Sequence, residues 1–154
     1  MPDPPSIRRA APPDLDGLVE LERTCFQPHR RASARSLARS ISSPHQSVWL
    51  IDDGPEADAP AAFIVLWHRP RTFRVYDVAT HPARRGEGLA GALLGHAEGL
   101  AEKAGADRVS LEAEPAGPGL VAWYEKRGYR VVQELPGYYG PGHDAVRMTK
   151  RLRA

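Results

Sequence analysis

The residues best placed to do chemistry are Arg85-Gly86-Glu87-Gly88-Leu89-Ala90-Gly91. They join an apolar extended segment, Phe73 to Ala79, to an apolar helical one that begins at Leu89. Small residues at such a junction let backbone N–H groups approach a ligand, and the start of a helix adds a positive field. Together these make a cradle for phosphate, so a phosphorylated cofactor and an enzyme are expected. The segment does not end in Gly-Lys-Ser or Gly-Lys-Thr, which gives nucleoside triphosphate hydrolysis little support. It also lacks the three-glycine fingerprint of a dinucleotide-binding fold. Taken alone, the same residues could simply be a helix start that needs flexible glycines.

Other reactive side chains fall later in the chain. Glu112 and Glu114 are two residues apart, so an extended backbone puts them on one side. Two nearby carboxylates could raise the proton affinity of one of them, bind a positive substrate, or face solvent. Tyr124 could donate its phenolic hydrogen or serve as a packing residue. Tyr138 and Tyr139 lie in a run rich in glycine and proline, and His143 follows on the same loop. The six histidines are scattered and there is one cysteine, so no spaced zinc-ligand cluster forms.

The elements that must position these residues can be read from periodicity. Ser6 to Arg9 is expected as a short strand and Pro12-Pro13-Asp14 as a helix entry, with Asp14 as its cap. Leu15, Leu18, Leu21, Cys25 and Phe26 give that helix an apolar side; Gly17 weakens it without reversing the reading. A second helix is expected over Ser33 to Ser40. Strands follow at Ser47 to Ile51, Ala61 to His68 and Phe73 to Ala79, the last with Phe73, Val75, Asp77 and Ala79 sharing one parity. The central helix, about Gly88 to Ala104, buries Leu89, Leu93, Ala97, Leu100 and Ala104 and stops at Gly105. Then come a strand at Arg108 to Ala113, a helix at Leu120 to Arg127 stopped by Gly128, and final strands at Tyr129 to Val132 and Ala145 to Thr149.

Composition bounds the reading further. The chain has 154 residues with 21 basic and 19 acidic side chains, a formal charge of +2. That suits one domain over residues 6–152 behind a frayed tail at 1–5, and gives no electrostatic case for nucleic acid. One cysteine excludes an internal disulfide framework, and Cys25 reads as a core residue. No segment approaches a membrane span or a signal-peptide core, so a cytoplasmic location is the default expectation.

The order and spacing of several pieces resemble the GCN5-related N-acetyltransferase superfamily, and within it the ribosomal-protein and protein N-alpha-acetyltransferase branch. These pieces are Asp77-Val78-Ala79-Thr80-His81-Pro82, Arg85-x-x-Gly88-x-Ala90, Leu111-Glu112-Ala113-Glu114 and Tyr124-Glu125-Lys126-Arg127-Gly128-Tyr129. Tyr138-Tyr139 and Asp144-Ala145-Val146-x-Met148 extend the likeness, which covers about Ile7 to Leu152 and is strongest from Tyr76 onward. The resemblance implies an α/β domain with a central mixed sheet, helices on both sides and two parallel strands splayed into a cofactor slot. It implies acetyl-coenzyme A as cofactor, its pyrophosphate on the amides of Gly86 through Gly91. Arg85 would contribute charge or support the loop, and Val78, Ala79 and Thr80 would line the pantetheine arm. By the same resemblance Tyr124 is the general acid and Glu112 the base, with Glu114, Tyr138 and Tyr139 on the substrate side. The implied acceptor is a protein N-terminal alpha-amine, with a ribosomal protein as one candidate. The alternatives are a protein lysine or a small-molecule amine, or a noncatalytic acyl-coenzyme A sensor or peptide-binding module. One departure stands out: the superfamily often has asparagine where this chain has Gly117, and glycine cannot make that side chain's hydrogen bonds.

Overall fold

The computed structural model describes residues 5–115 and 119–152. Gly117, and the expected tail at 1–5 apart from Pro5, lie outside them.

The strands are β1 (Arg8–Arg9), β2 (Gln46–Ile51), β3 (Ala62–His68), β4 (Thr72–Thr80), β5 (Arg108–Ala113), β6 (Arg130–Leu135) and β7 (Ala145–Arg151). The α-helices are α1 (Leu15–Cys25), α2 (Ala34–Ser42), α3 (Leu89–Lys103) and α4 (Leu120–Glu125). The strands form a seven-stranded sheet in the order β1-β2-β3-β4-β5-β7-β6. Neighbours run antiparallel except β4 and β5, which are parallel. One apolar cluster packs Leu18 and Leu21 of α1 and Leu37 of α2 against one face of the sheet. Another packs Leu89, Leu93 and Ala97 of α3 and Tyr124 of α4 against the other face. The α/β architecture with a mixed sheet between helices is therefore as expected.

The site depends on where β4 and β5 stop pairing. Their ladder covers only Thr72 to Val75 against Arg108 to Leu111, although β4 continues to Thr80 and β5 to Ala113. Past Val75 and Leu111 the two strands separate, leaving a slot in the middle of the sheet. On its other edge β4 stays paired to β3 as far as Thr80, but the register shifts where Val65 faces Asp77 and Leu66 faces Val75. Tyr76 is thus the extra residue of a β-bulge, which bends a strand and re-aims the side chains beyond it.

The bulge corrects one expectation. Phe73 and Val75 belong to the cluster against α3, whereas Ala79 belongs to the cluster against α1 and α2. A strict period of two had put all three on one face; the inserted residue inverts the parity. Two helical details also differ. The buried stripe of α3 is Leu89, Leu93, Leu94, Ala97 and Ala101, while Ala104 is exposed at the C-cap. Asp14 precedes α1 but makes no side-chain cap to it. Its carboxylate accepts from the Ala11 amide at 2.8 Å and from Arg8 instead, because the Pro12–Asp14 turn runs directly into the helix.

Ser33 caps α2 by accepting from the Ser36 amide at 3.0 Å. Gly105, at φ 81°, ends α3; its amide bonds to Glu102 and that of Ala106 to Ala101, the paired closure of a left-handed C-cap. Gly17 is required inside α1 for space, since a Cβ there would lie 2.6 Å from the Asp58 carbonyl oxygen. No helix among the described residues is long and apolar enough to cross a membrane.

Candidate active site

The turn between β4 and α3 supplies an unusual set of donors. His81 Nδ1 accepts from the Ala83 amide at 3.1 Å and starts a short helical turn over Pro82–Arg84. Gly86 and Gly88 then take φ of 85° and 81°, a left-handed conformation that L side chains resist. Gly88 is the N-cap of α3 and carries no capping side chain. From Gly86 through Gly91, no backbone or side-chain acceptor among the described residues takes the amide hydrogens. Unpaired amides at the start of a fifteen-residue helix form an anion site.

Side chains around the turn leave those amides open. Leu89 is buried in the core. Glu87 pairs with Arg84 at 2.9 Å, and Arg84 also contacts Asp53. Gly91 lies against the Arg127 guanidinium, 3.4 Å from where a Cβ would sit.

The slot holds a cavity of about 340 Å³, lined by Val78, Ala79, Thr80, Arg85, Ala90 and Tyr124, with Cys25 and Trp123 among the other residues. Cys25, expected in the core, is half-buried on this wall and donates its S–H to the Thr80 carbonyl at 3.2 Å. Burial pushes its thiol pKa up, so it stands as a thiol and not as a thiolate.

A second cavity, about 410 Å³, lies on the bulge side. Tyr124, Val78, Leu120 and Phe26 line both cavities, so Tyr124 stands at their junction. Its side chain is held edge-on to Trp123 and Tyr129, with ring centroids 5.0 and 5.8 Å away. Burial, helped by the nearby Tyr139, pushes its hydroxyl up to about 12, while Arg30 opposes that shift.

Glu112 lies in the wall of the second cavity with its side chain 5% exposed. Arg74 donates to it through Nε at 2.9 Å and Nη2 at 2.5 Å, and Arg147 through Nε at 3.1 Å. Tyr138 accepts from Arg74 at 2.6 Å and lies 3.4 Å from the same carboxylate. Glu112 is thus the hub of a network joining β4, β5, β7 and the β6–β7 loop. Glu114 does not line the cavity. It accepts from Arg30 at 3.1 Å and lies 3.7 Å from His29.

Tyr139 reaches the cavity from the β6–β7 loop, whose turn closes through Tyr139 to His143 and Gly137 to Asp144 hydrogen bonds of 3.0 and 2.8 Å. Burial pushes its hydroxyl up to about 12, against the pull of Arg30, whose guanidinium lies 4.2 Å over the Tyr139 ring. His29 stacks on the exposed His143 at 3.9 Å. Contacts from Arg30 and His29 therefore join the α1–α2 connection to the β6–β7 loop. Their partners are far apart in sequence, and no local spacing announces them.

One cavity-lining group carried no sequence signal as a site. Asp77 sits at the bulge with Oδ2 buried and without a hydrogen-bond partner among the described residues. Its parity alone marked it as a polar intrusion in an apolar strand. No group of three or more His, Cys, Asp or Glu among the described residues could hold a metal ion.

A mixed sheet split between parallel strands, with open amides at the start of the following helix, defines a class of α/β domain with an unfilled set of donors at the head of a slot. The signature of the acetyltransferase (GNAT) family matches residues 15–129, and the chain belongs to that family. Among solved structures it is similar to the ribosomal-protein-S18-alanine N-acetyltransferase from Escherichia coli, with a TM-score of 0.84 at 20% identity over 97% of this chain and 94% of that one. It is also similar to Ard1 from Thermoplasma volcanium, with a TM-score of 0.82 at 19% identity over 99% and 100% of the two chains. An aminoglycoside 6'-N-acetyltransferase complexed with coenzyme A gives a TM-score of 0.77 at 18% identity over 97% and 98%. At these identities the likeness is one of fold. Among curated protein sequences, none matches significantly.

Proposed function

We propose that residues 6–152 form one catalytic domain that transfers an acetyl group from acetyl-coenzyme A to an amine, the first choice being the alpha-amine of a protein N-terminus. The observation that carries this reading is the run of unpaired amides from Gly86 to Gly91 at the head of a slot between separated strands. Those amides suit the coenzyme's diphosphate, with Arg85 adding charge at the wall. The edge of β4 turned away from β3, at Val78 and at the Thr80 amide, suits the amides of the pantetheine arm, which need backbone partners once out of water, while Ala79 lines the same wall. The coenzyme supplies the thioester; the chain binds, orients and handles protons.

Tyr124 is the proposed proton donor to the departing sulfur. With its hydroxyl pushed up to about 12 it stays protonated throughout the ordinary working range. An unperturbed thiol titrates near about 8.5, so full transfer to a solvated thiolate would be uphill by about 5 kcal/mol. Burial of the leaving sulfur in the same cleft raises its own proton affinity and narrows that gap. Tyr138 and Tyr139 form the proposed acceptor wall, and Glu114 contributes by anchoring Arg30. Glu112, already accepting from two guanidinium groups, is better suited to fix Arg74 and Tyr138 than to receive a proton.

The choice of alpha-amine rests on fold-level likeness to the E. coli enzyme and on chemistry. An alpha-amine titrates about two and a half pH units below lysine, so near neutrality its nucleophilic form is on the order of a few hundred times more abundant. A ribosomal protein is one candidate acceptor. The test is incubation of acetyl-coenzyme A with matched peptides carrying either a free N-terminus or a blocked N-terminus and an internal lysine, followed by mass analysis. Label on the free N-terminus is expected. Label on lysine alone overturns the acceptor class, and coenzyme binding without transfer to any amine overturns the enzymatic reading.

A further inference from the structure

Two acids, the buried Glu22 and the half-buried Asp77 at the bulge, have no role in the network around Glu112. Glu22, on α1, is 1% exposed. Its Oε2 accepts from the Ala32 amide at 2.6 Å, and its Oε1 is buried with no partner among the described residues. Asp77 Oδ2 is likewise buried and unpartnered. The charge of Glu22 is among the causes that raise the proton affinity of Asp77. A carboxylate oxygen with no donor to it, close to a second negative charge, holds a proton more readily. Leaving a buried carboxylate oxygen without a partner is costly, which favours proton uptake here.

Asp77 also faces the reaction space. It lines the second cavity with Tyr124 and Arg30, one residue before Val78, which lines both cavities. Its charged and titratable neighbours are Glu22 and Cys25 on α1, Arg30 beyond α1, and Tyr124 on α4. Burial, reinforced by Glu22, holds its carboxyl well above the ordinary carboxylate range, while Arg30 opposes the shift.

We infer that Asp77, backed by Glu22, receives the proton of the incoming ammonium in the bulge-side cavity. This rests on the reading that the cavity takes an amine. The ionised Asp77 carboxylate takes one proton from R–NH3+, leaving R–NH2 and a neutral Asp77. The nitrogen lone pair then forms the N–C bond to the acetyl carbon, and the C–S bond breaks with its electron pair on sulfur. The sulfur takes the Tyr124 proton, and Tyr124 is reprotonated by the second proton lost from nitrogen. Asp77 releases its proton to solvent on product exit, so the sum is amide, thiol and one proton. Asp77 is catalytic in this scheme and Glu22 is a positioning residue that sets its proton affinity.

The experiment compares kcat and kcat/KM against pH for wild type, Asp77→Asn, Glu22→Gln and Glu112→Gln on one peptide, so that the amine's own ionisation is common to all. Coenzyme affinity is measured alongside. Wild-type kcat should rise with pH as Asp77 ionises. Asp77→Asn should lose about 10²-fold in kcat and lose that limb, with coenzyme affinity retained. Glu22→Gln keeps an acceptor for Ala32 but removes a negative charge, so the limb should move to lower pH; this variant decides the matter if Asp77→Asn does not fold. Glu112→Gln should keep the limb. Wild-type kcat and profile in Asp77→Asn, an unmoved limb in Glu22→Gln, or loss of the limb in Glu112→Gln overturns the proposal. If wild type acetylates no amine at all, the amine reading fails and the inference falls with it.

Discussion

At the scale of single residues, Tyr124 and Glu112 separate a chemical role from a structural one. Tyr124→Phe keeps a buried ring between Trp123 and Tyr129 and removes only the hydroxyl. Its expected result is a loss of about 10²-fold or more in kcat, with little change in thermal midpoint or coenzyme affinity. Glu112→Gln should show the reverse emphasis. Removing the charge at the hub leaves Arg74 and Arg147 without their carboxylate, and stability to urea should fall by about 2–3 kcal/mol, less than for a fully buried pair because both arginines are partly exposed. An unchanged urea midpoint would contradict that assignment. The resemblance to the family's motifs was enough to pick out Tyr124, Glu112 and the paired tyrosines, since each falls in one of its short pieces. It could not reveal that Glu112 is saturated by arginines 38 and 35 residues away, because those partners meet it only across strand pairings.

At the scale of elements, two glycines test different parts of the account. Gly88→Ala puts a Cβ into open space but at φ 81°, so its cost is backbone strain of about 1–2 kcal/mol. Relief of that strain turns the amides of the α3 start, and coenzyme affinity should fall measurably by titration calorimetry. Gly17→Ala has ordinary helical φ but a Cβ 2.6 Å from a carbonyl oxygen. It should cost about 1–3 kcal/mol in urea unfolding and leave coenzyme affinity unchanged, because Gly17 lines neither cavity. Helices and strands were legible from periodicity because their apolar faces are strong. The β4 bulge was not: one inserted residue leaves composition and length unchanged while inverting which side chains face α3. That inversion hid Asp77 as a cavity residue and misassigned Ala79.

At the scale of the whole molecule, the split sheet couples function to stability. A buried acid with a raised pKa binds protons in the folded state that the unfolded chain has already lost. Its contribution is therefore present at low pH and is lost as pH rises through its folded value. Asp14 and Asp52, held below the ordinary range by Arg8, act in the opposite sense: their contribution is present at neutral pH and lost on acidification. Asp77→Asn should flatten the fall in urea stability as pH rises above the ordinary carboxylate range, and match or exceed wild type at the upper end. A steeper fall would contradict the assignment. The overall architecture was accessible from motif order because the family's pieces occur in sequence, whereas the slot itself exists only where β4 and β5 part after Val75 and Leu111. The most direct test of the central claim is a nitrogen-15 amide titration of the intact chain with acetyl-coenzyme A and with acetyl-pantetheine, which lacks the diphosphate. The account predicts that the coenzyme moves the Gly86 to Gly91 amides together with Val78 and Thr80, and that acetyl-pantetheine moves only the latter two. Coenzyme-induced shifts elsewhere, with Gly86 to Gly91 unmoved, would contradict it.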